Sequence, residues 1–132
     1  MKFQVRYYSR SGNTKSLAES IAKAAGVNAV SIVDENSSIN EKTDILFIGG
    51  ALYVYGLDEK IVDYISKLDA AKIDKAFVFS TSWISKHSIT LLKKALEKKG
   101  IFVCKEFIHF KNKPTEQELK KAEECVKSII NS

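Results

Sequence analysis

The chain has 132 residues, 45% of them hydrophobic and 28% charged, with one proline, six glycines and two cysteines. That length fits a single domain spanning residues 1–132, and the composition excludes disordered, collagen-like and low-complexity classes. No apolar run nears the roughly 20 residues of a membrane span, the opening MKFQVRYYSR lacks a secretory signal, and a soluble, cytoplasmic protein of net charge +5 is expected.

FQVRYY (3–8) is an extended β-branched and aromatic run that predicts the first strand. After SRSGN, Leu17, Ala18, Ile21, Ala22 and Ala25 recur at helical spacing, and Gly26 follows as a stop. NAVSIV (28–33) predicts a short strand and DILFIGG (44–50) a third. Leu57, Ile61, Tyr64, Ile65 and Leu68 mark a helix, and KAFVFST (75–81) the fourth strand. Leu91, Leu92, Ala95 and Leu96 mark the next helix, which closes on Lys98-Lys99-Gly100. IFVCKEFIHF (101–110) is the fifth strand. Thr115 and Glu118, just after Pro114, form a capping box that opens a last helix through Leu119, Ala122, Val126, Ile129 and Ile130.

Strands alternating with helices predict a doubly wound α/β fold around a parallel sheet. The segment DENSSINEKT (34–43) is too short and polar for a good helix, so the helix between strands two and three is expected to be missing. With strand order 2-1-3-4-5, the right-handed crossover rule puts that connection on the face opposite the first helix. Strand one would then be thinly covered there, and Gln4 and Arg6, which share that face, are expected to reach water or a partner.

The charge is uneven. Residues 1–85 carry ten basic and ten acidic side chains, whereas residues 86–132 carry eleven lysines and six glutamates. A solvated lysine-rich helix surface accounts for this, and so does attraction to an acidic partner. No RNA-binding signature accompanies the lysines, so neither nucleic acid nor membrane is expected as a partner. Cys104 and Cys125 match neither metal-ligand nor CxxC spacing and are read as buried, inert thiols. His87 and His109 have no neighbouring carboxylate or cysteine of catalytic pattern. No catalytic residue and no metal site is expected.

Ser9, Arg10, Ser11, Gly12, Asn13 and Thr14 lie between a strand and the first turn of a helix. Hydroxyls, an amide and a glycine leave backbone N–H groups able to turn toward an anion, aided by the helix N-terminus. A phosphate cradle and a well-capped turn without ligand both satisfy this pattern. There is no G-x-G-x-x-G, and the P-loop spacing fails.

VRYYSRSGNTKSLAESI (5–21) resembles the flavodoxin signature in Val5, Tyr7, Ser9, Gly12, Thr14, Ala18 and Ile21, with Arg6 standing where an apolar residue is usual. FIGGALYVYGLDEK (47–60) resembles the loop after the third strand of that family, and element order and length are similar to a short-chain flavodoxin throughout. The resemblance implies a flavodoxin-like five-stranded parallel sheet of order 2-1-3-4-5, the second helix reduced or absent, binding flavin mononucleotide (FMN).

Carried over, it assigns the phosphate to residues Ser9 through Thr14. The flavin ring falls to Ala51, Leu52, Tyr53, Val54, Tyr55 and Gly56 and to Ser80, Thr81, Ser82, Trp83 and Ile84. Tyr53, Tyr55 and Trp83 are candidates to stack on the ring; the tyrosines are otherwise amphipathic residues at a domain edge, and Trp83 is equally open to a packing role. The third loop lacks the glycines familiar in flavodoxins. Arg10, Lys86 and His87, with few acids beside them, predict a less negative potential for the flavin's final reduction. The implied function is single-electron transfer between redox proteins, acidic docking faces being as open as basic ones, by a monomer or weak homodimer. An FMN-dependent NAD(P)H reductase and a flavin-free interaction module are the alternatives.

Overall fold

The computed structural model describes residues 1–53, 56–81 and 87–132, with Leu52 and Tyr53 as backbone only. Its elements are β1 (Phe3–Tyr7), α1 (Asn13–Ala25), β2 (Ala29–Ser31), β3 (Thr43–Gly49), β4 (Leu52–Tyr53), β5 (Gly56–Leu57), α2 (Glu59–Ser66), β6 (Ile73–Ser80), α3 (His87–Lys98), β7 (Val103–His109) and α4 (Glu116–Ile130). A single 3-10 turn, Ala70–Lys72, precedes β6.

Five parallel strands form one sheet in the order β2-β1-β3-β6-β7. Counted along the chain these are sheet strands one to five, so the expected 2-1-3-4-5 arrangement is present. β4 and β5 form a separate antiparallel pair, with Leu52 opposite Leu57 and Tyr53 opposite Gly56.

Strand side chains alternate between faces, and this divides the core into two layers. Val5, Tyr7, Ile45, Phe47, Phe77 and Phe79 pack with Leu17, Ala18 and Ile21 of α1 and Ala122 and Val126 of α4. Leu46, Ile48, Ala76 and Val78 pack with Ile61 and Ile65 of α2 and Ile89, Leu92 and Leu96 of α3. Helices therefore cover both faces, as right-handed crossovers require. No helix forms between β2 and β3; residues 32–42 are turns and irregular chain.

Arg6 corrects one expectation. It is 4% exposed and does not reach open water. Its Nε donates to the Ser37 carbonyl at 2.7 Å and its Nη1 to the Val5 carbonyl at 3.1 Å. The Tyr64 hydroxyl of α2 donates to the same Ser37 carbonyl. The polar connection thus supplies a main-chain acceptor, the Ser37 carbonyl, where a helix would have supplied apolar side chains, and β1 itself supplies a second through Val5. Gln4, on the same face, is half-buried. A cleft of about 640 Å³ remains between this connection and α2, lined by Ile39, Tyr64 and Leu68 among others.

Candidate functional site

Strand register makes the sheet end level at one edge. Tyr7 stands beside Ser31 and Gly49, Gly49 beside Phe79, and Ser80 beside His109. The loops after β1, β3, β6 and β7 all leave from this edge, where ligands of open α/β sheets bind. Gly49 lets the sheet close there: a Cβ at this position would lie 2.2 Å from the Phe79 ring.

The loop after β1 is held by its own hydroxyls. Ser9 Oγ accepts from the Gly12 N–H at 2.9 Å, and Ser11 Oγ lies 3.4 Å from the Asn13 nitrogen. Gly12 takes a left-handed conformation, φ 91°, which a residue with a Cβ would resist. It occupies the N-cap of α1 and has no side chain to cap the first turn. The helix therefore presents backbone N–H groups and its positive dipole end beside exposed Ser11 and half-buried Ser9 and Asn13.

Thr14, 2% exposed, is turned inward instead. Its hydroxyl is hydrogen-bonded at 2.7 Å to that of Thr81, 6% exposed, just past β6. Ser80 is fully buried with its hydroxyl 2.7 Å from that of Ser88 in the first turn of α3. These pairs stitch the loop after β1 to the end of β6, and β6 to α3.

Arg10 reaches across to the loop after β3. Its Nη2 lies 2.5 Å from Oδ2 of Asp58, whose side chain is 4% exposed against 57% for Arg10. Asp58 is also the N-cap of α2, its Oδ1 accepting from the Lys60 N–H at 2.9 Å. Contact with the Asp58 carboxylate lifts the Arg10 guanidinium above its ordinary pKa, against desolvation. The Lys60 ammonium sits 5.7 Å from the centre of the Tyr8 ring. An acid, Asp58, thus stands directly beside Arg10, where the sequence led one to expect few. Asp58 was not among the sequence candidates; its signal was an aspartate directly ahead of Glu59 and the apolar Ile61–Ile65 face.

Of the other expected ring contacts, Ala51 is half-buried and precedes β4, and Gly56 opens β5 with φ 156°. Val54, Tyr55, Ser82, Trp83 and Ile84 lie outside the described residues, as do the side chains of Leu52 and Tyr53. His87 is exposed at the start of α3, and His109 ends β7. Cys104 is buried and Cys125 half-buried, both are free thiols, and burial pushes both upward in pKa. Among the described residues no cluster of three His, Cys, Asp or Glu side chains is placed to hold a metal ion. Nor is any helix there long and apolar enough to cross a membrane.

No family model matches the chain. It is 29% identical to an uncharacterized protein of Methanocaldococcus jannaschii, over 91% of each chain. Its fold is similar to that of a flavodoxin from the domain Archaea, with TM-score 0.84, 21% identity and coverage of 99% of this chain and 97% of the other. It is likewise similar to flavodoxin 1 of Bacillus cereus, with TM-score 0.80, 23% identity and coverage of 99% and 98%. The chain has a flavodoxin-like fold along essentially its whole length.

Proposed function

We propose that this flavodoxin-fold protein binds FMN at the carboxyl edge of its sheet and carries single electrons between redox proteins. The observation that carries the reading is the loop after β1: hydroxyls of Ser9 and Ser11 beside an α1 N-terminus with no side-chain cap. Such a donor set fits a phosphate dianion, because its hydroxyls and main-chain N–H groups can donate to phosphate oxygens without any rearrangement of the helix. The solved flavodoxins of the same fold support the choice of FMN over other phosphate ligands.

Bound FMN supplies the redox chemistry. The chain's own part is to bind, orient and tune. Ser9, Ser11, Gly12, Asn13 and Thr14 hold the phosphate, chiefly through main-chain donors where side chains are already engaged. Ala51 to Gly56 and Thr81 to Ile84 flank the ring. The Thr14–Thr81 hydroxyl pair ties the end of β6 to the phosphate cradle, and the Ser80–Ser88 pair ties β6 to α3. The docking partner is a redox protein with an acidic face, because exposed Lys111 and Lys113 follow β7 at the same edge as His87.

Titration of the purified protein with FMN, followed by fluorescence and visible absorption, tests the reading. Saturable quenching with a structured visible band is the expected result. Absence of binding would leave an interaction module, and rapid bleaching of bound FMN by NADH or NADPH alone would make the protein a reductase.

A further inference from the structure

The phosphate loop carries a cation that is already engaged. Arg10 Nη2 and Asp58 Oδ2 are 2.5 Å apart, and the carboxylate, not the guanidinium, is the buried member. Asp58 gives its other oxygen to the first turn of α2. Departure of Arg10 would leave a buried carboxylate oxygen without a partner among the described residues, a strongly unfavourable state. The two residues come from different walls of the site: Arg10 from the loop after β1, Asp58 from the turn that joins β5 to α2.

We propose that the Arg10–Asp58 ion pair is a clamp that locks the loop after β1 to the loop after β3. In it Asp58 acts as a positioning residue, and Arg10 stays on Asp58 instead of becoming a ligand of the bound phosphate. The proposal rests on the reading that this edge holds FMN. It divides the labour within the loop: hydroxyl and main-chain donors take the phosphate, while the arginine joins the phosphate cradle to the wall that flanks the ring. Preorganisation of this kind raises affinity for both ends of the ligand together, because it removes the ordering cost of bringing two loops into register.

The test compares wild type, Arg10→Gln, Asp58→Asn and the double variant, each titrated with FMN and with riboflavin, which lacks the phosphate. Asparagine caps helices as well as aspartate does, so Asp58→Asn removes the clamp and leaves the cap. Each single variant is expected to weaken both flavins by a similar factor, about tenfold, with the double variant no weaker than the worse single one. The FMN-to-riboflavin affinity ratio should stay within about threefold of wild type. Arg10→Lys, which keeps the charge but not the planar fork, should recover part of the loss for both flavins.

Selective loss of FMN affinity in Arg10→Gln would overturn the proposal, as would tighter FMN binding in Asp58→Asn, since both would make Arg10 a phosphate ligand. Unchanged affinity for both flavins in the single variants would overturn it too. If wild type binds neither flavin, the FMN reading fails on its own. Urea unfolding of the same four proteins then decides the clamp: non-additive losses support it, and additive ones overturn it.

Discussion

Single side chains at the sheet edge are held to tight tolerances. A methyl group on Gly49 would enter the Phe79 ring, with Cβ 2.2 Å from Cε2, and both residues are buried near the carboxyl ends of inner strands. Gly49→Ala should therefore lower stability by about 3 kcal/mol. The reading is a lower urea midpoint at unchanged m-value; an unchanged midpoint would show that the ring moves aside freely. Tyr64 makes a different kind of prediction. Burial pushes its hydroxyl above the ordinary value of 10.0, partly offset by Arg6. Below pH 10 both folded and unfolded chains keep the proton, so the group adds no pH dependence. Above it the unfolded chain releases its proton first, and stability falls as pH rises toward the folded value. Tyr64→Phe should cost about 1 kcal/mol at neutral pH through the lost bond to Ser37. The same variant should flatten the alkaline loss, which urea midpoints between pH 9 and 11 would record. An equally steep decline in the variant would assign the slope to other groups.

At the scale of elements, α4 depends on its first turn. Thr115 Oγ1 accepts from the Glu118 N–H at 3.1 Å, and Glu118 Oε1 accepts from the Thr115 N–H at 3.0 Å. Ala122 and Val126 carry the helix into the layer shared with α1, so fraying of that turn is felt by the whole sheet face. Thr115→Ala should cost about 1 kcal/mol, visible as a lower midpoint; no change would mean that packing alone fixes the helix start. That cap was legible in the sequence because a capping box is contiguous: four residues contain donor and acceptor alike. The apolar runs of β1, β3, β6 and β7 were legible for the same reason. The β4–β5 pair was not, since two residues per strand carry no periodicity. The cover over Arg6 was hidden as well. Its acceptor is a carbonyl, which every residue has, and only the path of the chain through Ser37 brings it near. The same contrast runs through the candidate site. Ser9, Ser11 and Gly12 declare themselves within one loop, whereas Asp58 joins them only because β1 and β3 are neighbours in register.

For the whole molecule, charge distribution governs what can approach the edge. The lysine excess of residues 86–132 follows the chain into α3, β7 and α4. Lys111 and Lys113 bring it to the rim from which the candidate cofactor loops leave, while Asp58 neutralises Arg10 at short range. Net attraction for an acidic surface therefore comes from groups around the site, and the clamp inside it contributes little at a distance. Long-range attraction of this kind sets association rate and is screened by salt, the Debye length shrinking from about 10 Å at 0.1 M to about 3 Å at 1 M. Electron exchange between the FMN-loaded protein and an acidic redox protein should slow markedly as salt rises over that range. Substitution of Lys111→Glu with Lys113→Glu should reduce both the low-salt rate and its salt dependence, with flavin affinity kept. Stopped-flow kinetics across the salt series would read this directly. A rate that is flat in salt, or one that rises, would assign docking to an uncharged or basic partner face and leave the lysines as solvated surface.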